Sequence, residues 1–263
     1  MTLAAGPGEA DVWILRRPWT GGPEHELDDR ERKRAGAFVH PRDRARYVSA
    51  HVALRRILAR YLGVGPADVR FGRAPCPRCA APHGRPVVLD GSPGNVPPPH
   101  FSLSHGHGVA LVAVASVPVG VDVQRVPSAA TVEVCSPRLH VRERADLAGV
   151  PPERRPAAFA RLWTRKEAYL KGLGTGLGRG PAADYLGDGD AAARPDGWLV
   201  DDLPADPGYA AALALRGSDV HRVSLRGLPE GWTRHADPAA VARREGDVMI
   251  VDDGFPNGVA EPI

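Results

Sequence analysis

Apolar residues recur along this chain at two different periods, and the change from one to the other predicts a mixed α/β fold. Val12–Leu15 is a short apolar run that predicts a strand, with Trp13 on one face. A polar Gly/Pro connection over 21–29 follows it. Helices are predicted over Asp28–Val39 and Arg42–Leu62. In the second, Val48, Val52, Ile57, Leu58 and Leu62 form an apolar stripe at roughly helical spacing. Residues 72–99 are rich in Pro, Gly and Cys and predict a loop with one short strand, Val87–Leu89. His100–Leu103, Val109–Ala115 and Val119–Val123 predict strands, the last two joined by a tight turn at Ser116-Val117-Pro118. Helices are predicted over Ser136–Ala148 and Arg155–Leu173, the longer one broken by the glycines of 172–180. Trp198–Val200, Tyr209–Leu215 and the weaker run Val220–Leu225 predict further strands. From about Gly227 the chain is turn-rich, with one strand-like run at Val248–Val251, and reads as a loosely packed tail. No strict repeat appears. Each half still mixes strands with one long helix, which predicts two similar α/β halves, 1–117 and 118–226, followed by the tail 227–263.

Composition narrows this picture. At 263 residues and 43% apolar, the chain can bury a sizeable core. It contains no apolar run long enough to span a membrane, and no basic segment followed by an apolar core near residue 1, so a cytoplasmic location is expected. The formal net charge is only +3 but is unevenly spread. Arg30, Arg32, Lys33, Arg34, Arg42, Arg44, Arg46, Arg55, Arg56 and Arg60 crowd residues 30–60. Such a block suits phosphates or an acidic partner protein, and equally a solvated helix face. Lysine is rare, with Lys33, Lys166 and Lys171 alone in an arginine-rich chain, and two of these lie in one segment. An ammonium is a compact charge that can deprotonate, whereas a guanidinium effectively cannot.

Three segments carry candidate chemistry. In Trp163-Thr164-Arg165-Lys166-Glu167-Ala168-Tyr169-Leu170-Lys171, a helix places Glu167 and Lys171 on one face, with Trp163 a turn earlier. The carboxylate can bind a metal or accept a proton, and the ammonium can neutralise phosphate charge. The bland alternative is an exposed i,i+4 ion pair contributing about 0.2–0.5 kcal/mol, with Trp163 in the core. In Gly120-Val121-Asp122-Val123-Gln124, a strand turns Asp122 and Gln124 to one face and the valines to the other. Two oxygen-bearing groups there can hold Mg²⁺, or simply form a polar strand face. In Phe101-Ser102-Leu103-Ser104-His105-Gly106, a Ser-His pair ends a strand and can bond a phosphate, or cap a turn. Neighbours on a strand face opposite ways, which argues against Ser104 and His105 as a nucleophile–base pair.

Together with Gly84-Arg85-Pro86 upstream, these segments stand in the order Gly84-Arg85-Pro86, Ser104-His105, Gly120-x-Asp122-x-Gln124, Trp163-x-x-Lys166-Glu167-x-x-x-Lys171. That order resembles the Sfp-type 4′-phosphopantetheinyl transferases over roughly residues 10–226, with Arg34, Phe38 and Arg46 falling where the family carries a basic helix and loop. The resemblance implies an α/β (α+β) fold of two similar halves related by a pseudo-two-fold axis, with the active site between them, in a monomer. It implies an enzyme that moves the phosphopantetheine arm of coenzyme A to a serine of an acyl or peptidyl carrier protein, releasing adenosine 3′,5′-bisphosphate. Neither nucleic acid nor membrane is implied as a partner. By the same resemblance, Asp122, Gln124 and Glu167 would hold Mg²⁺. Arg34, Arg46, Arg85, Ser104, His105, Lys166 and Lys171 would contact coenzyme A, with His105 at its 3′-phosphate. Glu167 and Lys171 would act in the transfer itself. Gln124 departs from the family, which usually has a second acidic residue there; an amide oxygen can coordinate but brings no charge.

Cys76-Pro77-Arg78-Cys79, with His83 four residues on, is half of a zinc-site pattern. Cys135 is the only other cysteine, and nothing in the sequence places it nearby. Reduced loop cysteines are therefore the default expectation, as suits an odd cysteine count in a reducing compartment. Two other functions compete with the enzyme. One is an arginine-rich nucleic-acid-binding protein, disfavoured by 6% aromatics and near-neutral total charge. The other is a carrier-binding relative without activity, which Gln124 leaves open.

Overall fold

The computed structural model describes residues 9–16, 21–89, 97–190, 193–217, 222–229, 231–234 and, for the backbone alone, 248–252. In chain order the strands and helices are β1 (Glu9–Arg16), α1 (Asp29–Gly36), α2 (Pro41–Leu62), β2 (Phe71–Arg73), β3 (Pro86–Val88), β4 (His100–Gly106), β5 (Val109–Ala115) and β6 (Val119–Arg125). They continue with α3 (Ala129–Cys135), α4 (Val141–Ala148), α5 (Arg155–Leu173), β7 (Trp198–Leu203), β8 (Tyr209–Arg216), β9 (Arg222–Leu228) and β10 (Val248–Asp252).

The strands form a five-stranded sheet in the order β10-β9-β1-β5-β4, a three-stranded sheet β6-β8-β7, and the short ribbon β2-β3. Period-two alternation lets both large sheets bury two faces. Val12, Ile14, Leu111 and Ala113 of the larger sheet meet Val121, Val123, Leu213 and Leu215 of the smaller in a shared inner core. Trp13, Phe101, Val112 and Val114 point the other way, onto Leu54, Ile57, Leu58 and Tyr61 of α2. Ala168 and Tyr169 of α5 cover the outer face of the smaller sheet against Val200, Ala212 and Ala214. The layers thus run helix, sheet, sheet, helix, which is the mixed α/β architecture expected from the periodicities.

Three expectations change. The Ser116-Val117-Pro118 turn does not close a hairpin, because β5 and β6 belong to different sheets. The expected single helix over Ser136–Ala148 is instead a 3₁₀ turn at Ser136–Arg138 followed by α4, and α3 is a further short helix ahead of it. His140 restarts the helix with a capping box to Glu143, as Ser128 caps α3. The boundary between halves at 226 runs through a strand: β9 leaves the second half and pairs in parallel with β1 of the first. Val248–Val251 forms a strand as its pattern predicts, antiparallel to β9. Most of the predicted tail, and Val220, lie outside the described residues.

The arginine block divides: Arg30, Arg32, Lys33, Arg34, Arg42 and Arg44 are exposed, whereas Arg55 and Arg56 enter closed networks. Arg55 and Arg56 are 0% and 1% exposed, not on a solvated face. Arg55 donates to Glu31 Oε2 at 2.6 Å, to Asp28 Oδ2 at 2.8 Å and to the Val69 carbonyl at 3.0 Å. Arg56 grips both oxygens of Glu26 and reaches the Trp232 carbonyl at 2.9 Å. Burial pushes the Glu31 carboxyl up, but hydrogen bonds from His51 and the Asp28 backbone, with the charge of Arg55, outweigh it and hold it below the ordinary range.

Candidate active site

The polar cluster lies where the edge strands of the two large sheets meet. β6 is bonded to β8 on one side, and on the other the hydroxyls of β4 take the place of a strand partner. Ser102 Oγ accepts from the Val121 N–H at 3.1 Å, and Ser104 Oγ accepts from the Val123 N–H at 3.3 Å. This satisfies donors that would otherwise be buried alone. It also sets Ser104 to donate to Asp122 Oδ1 at 2.7 Å.

Helix α5 brings the remaining groups. It lies directly on β6, and glycine at 120 permits this. A Cβ there would overlap the Ala168 carbonyl oxygen and stand 2.6 Å from the Gly172 nitrogen. With the helix that close, Lys171 Nζ donates to Asp122 Oδ1 at 2.7 Å and to the Val121 carbonyl at 3.0 Å. Gln124 Nε2 donates to Asp122 Oδ2 at 3.2 Å. Asp122 is 1% exposed, and its buried charge is balanced by these three donors.

Glu167, one turn before Lys171, is half-buried. Among the described residues no donor lies within hydrogen-bonding or ion-pairing distance of its carboxylate. Burial and the adjacent charge of Asp122 push its pKa up, against the pull of Lys171. Two carboxylates therefore stand together with one ammonium, and one of them lacks a partner. An all-oxygen pair short of positive charge fits a hard divalent cation such as Mg²⁺.

His105 follows Ser104 on β4 and so faces the other way, toward α2. The residue is exposed to solvent. Partial desolvation by its neighbours, then the charges of His51 and Lys171, lower its pKa to about 4. His51 was not singled out from the sequence. It sits on α2 with Nδ1 2.8 Å from Glu31 Oε1 and its ring stacked on Tyr47 at 4.0 Å. Their i,i+4 spacing on α2 was the available signal. Burial and the nearby Glu31 and Asp28 charges push the Tyr47 phenol up to about 12. The row continues through Phe38, 5.4 Å from Tyr47, to the Arg34 guanidinium, 5.2 Å over the Phe38 ring.

Other expected residues stand apart from Asp122. Arg46 pairs with Asp43 at 3.0 Å in a half-exposed position. Arg85 lies against the end of α5, with Nη1 3.2 Å from the Gly172 carbonyl and Nη2 3.3 Å from His100 Nδ1. Its Nε is buried with no hydrogen-bond partner, an uncommon and costly state that an incoming acceptor would relieve. Lys166 is corrected. Its ammonium is 2.6 Å from Glu143 Oε1 and also donates to the Asp184 carbonyl, buried beneath α4, so it holds the helix and does not reach the cleft. Trp163 stacks on Phe159 at 5.5 Å and is likewise structural.

Several known proteins are similar to this chain in sequence. The sequence profile of the 4′-phosphopantetheinyl transferase superfamily matches residues 118–195, a span holding Asp122, Glu167 and Lys171. The 4′-phosphopantetheinyl transferase HetI of Nostoc is 30% identical over 209 residues, covering 74% of this chain and 84% of that protein. A putative 4′-phosphopantetheinyl transferase of Synechocystis is 27% identical over 87% of this chain and 98% of its own length. Sfp of Bacillus subtilis is 23% identical over 73% of this chain and 84% of its own. By the motif order, the seam geometry and the extent of these matches, the chain belongs to the 4′-phosphopantetheinyl transferase superfamily.

Proposed function

We propose that this protein transfers the 4′-phosphopantetheine arm of coenzyme A to a serine hydroxyl of an acyl or peptidyl carrier protein, leaving adenosine 3′,5′-bisphosphate. The observation that supports it most is the pairing of Asp122, fixed by three donors, with the unpartnered carboxylate of Glu167. Phosphoryl transfer requires positioning and charge neutralisation more than covalent chemistry, and a seam with spare negative charge beside a fixed ammonium offers both. Asp122 and Glu167 would hold Mg²⁺, which when bound would neutralise charge on the pyrophosphate.

The protein's own groups supply the rest. Lys171 presents its ammonium to the pyrophosphate while remaining anchored on Asp122. Gln124, as a donor to Asp122 Oδ2, orients that carboxylate more than it adds charge. Either Glu167 or a water held at the same cation site would take the proton from the carrier serine. His105 and the row from His51 to Arg34 form a surface for the adenosine 3′-phosphate. Arg85 adds a guanidinium with one donor still to satisfy.

The test is incubation with coenzyme A, Mg²⁺ and apo carrier proteins of several kinds, followed by mass spectrometry. The expected result is the mass gain of one phosphopantetheine arm on the carrier. No gain on any carrier would sink the proposal.

A further inference from the structure

The loop between β2 and β3 spans residues 74–85 and holds Cys76, Cys79 and His83, which the transfer chemistry leaves unused. Their candidate ligand atoms all lie within 4.8 Å of one another, and Cys79 Sγ is 3.0 Å from His83 Nε2. Local backbone structure produces this. Cys76 donates its N–H to the Ala81 carbonyl, and Ala80 donates to the Cys76 carbonyl, both at 2.8 Å. Ala80 adopts a left-handed φ of 59°, uncommon for a residue with a Cβ, and the chain folds back there. The backbone N–H groups of Arg78 and Cys79 point at the Cys76 sulfur. All three cysteines are free thiols.

We propose that Cys76, Cys79 and His83 form a zinc site. Two thiolates and an imidazole are a borderline-soft donor set that suits Zn²⁺ over Mg²⁺ or Ca²⁺. Zn–S and Zn–N bonds of about 2.3 and 2.0 Å place tetrahedral ligand atoms roughly 3.3–3.8 Å apart, so only small side-chain movements are needed. Among the described residues no fourth His, Cys, Asp or Glu joins the group. Cys79 and His83 are exposed, so water takes the fourth position.

The site would act on Arg85. The loop is pinned at its base by the Gly84 N–H to the Ala74 carbonyl and the Ala74 N–H to the Arg85 carbonyl, both 3.0 Å. A Cβ on Gly84 would stand 2.6 Å from the Ala74 oxygen and 2.8 Å from the Pro75 oxygen, so the closure tolerates no larger residue. At the other side the Arg85 side chain lies against Gly174, and Arg78 lies beside Gly178, just beyond α5. A metal at the three ligands fixes this loop against α5 and with it the direction of Arg85. That consequence rests on the proposed function; metal binding does not.

The experiment uses untagged, full-length protein from zinc-supplemented culture, with metal measured by mass spectrometry and replacement by Co²⁺ monitored in the absorption spectrum. Wild type is expected to hold about one zinc per chain and to show a sulfur-to-cobalt charge-transfer band. Cys79→Ser and the exposed-site variant His83→Ala should each fall below about a tenth of that zinc content while remaining folded. Zinc absent from wild type, zinc retained in both variants, or a Cys76–Cys79 disulfide in freshly purified protein would overturn the proposal. These readouts do not depend on transfer, so a failed transfer assay leaves them intact. If the zinc site is found, His83→Ala should also raise the KM for coenzyme A with little change in kcat.

Discussion

The protein buries carboxylates beside cations on two long helices, and the two regions solve the cost of burial differently. Under α2, Arg55 and Arg56 are matched by Asp28, Glu31 and Glu26, and the remaining guanidinium donors reach the carbonyls of Pro66, Val69 and Trp232. Each carboxylate there is bonded. Under α5, Asp122 is equally well bonded, but Glu167 beside it is not, and one ammonium serves two negative charges. A network that closes on itself holds a fold together. A network left short of one positive charge is prepared for something to arrive. Lys166 and Lys171 repeat the lesson within a single helix, since one is sealed against Glu143 and the other stands partly open on Asp122.

The contrast can be broken by substitution, and the largest effect is expected at the open network. Asp122→Ala and Glu167→Ala should each lower kcat/KM for transfer about a thousandfold at saturating Mg²⁺, with circular dichroism unchanged. Gln124→Ala should retain far more activity, within about tenfold of wild type, because it orients Asp122 by a single hydrogen bond. Equal losses at all three positions would contradict this ranking. At the closed network the expected loss is stability: Glu26→Ala leaves Arg56 buried and unpaired and should cost about 3–5 kcal/mol in denaturant unfolding. Its kcat per folded molecule should stay near wild type.

The two lysines sharpen the comparison. Lys171→Ala should reduce kcat/KM about a hundredfold with a small change in stability. Lys166→Ala should do the reverse, destabilising the fold through the stranded Glu143. The smallest effect concerns pH. The His105 pKa is depressed to about 4 in the folded protein, so the unfolded chain binds the proton first as pH falls from 6.5. Folding stability should therefore decline through that window. His105→Gln should flatten the decline, as measured by thermal unfolding across pH; an unchanged slope would show that His105 does not titrate in this way.

The motif segments were largely legible in the sequence, because strand and helix periods fix which side chains share a face. Asp122 with Gln124, and Glu167 with Lys171, fall together on that ground alone. The periods cannot supply the neighbour across the fold. The role of Ser102 depends on which edge of β6 meets β4. The commitment of Lys166 depends on Glu143, brought there by a separate helix. Arg55 and Arg56 read as part of a basic face because burial of an arginine requires acids from elsewhere, here Glu31, Asp28 and Glu26. The return of β9 to β1 is a parallel pairing between distant segments and leaves no local trace. α3 leaves only a faint signal, because its capping residue Ser128 precedes a short run and Pro137 breaks the helical pattern just beyond Cys135.

The central claim is that the Asp122–Glu167 pair is an open cation site and the α2 network is closed. It is tested most directly by Mn²⁺ binding, with Mn²⁺ standing for Mg²⁺ and bound and free ion separated by electron paramagnetic resonance in the presence of coenzyme A. Wild type and Glu26→Ala should bind one Mn²⁺ with similar affinity, while Asp122→Ala and Glu167→Ala should bind at least about tenfold more weakly. Unchanged binding in both of the latter variants would contradict the account.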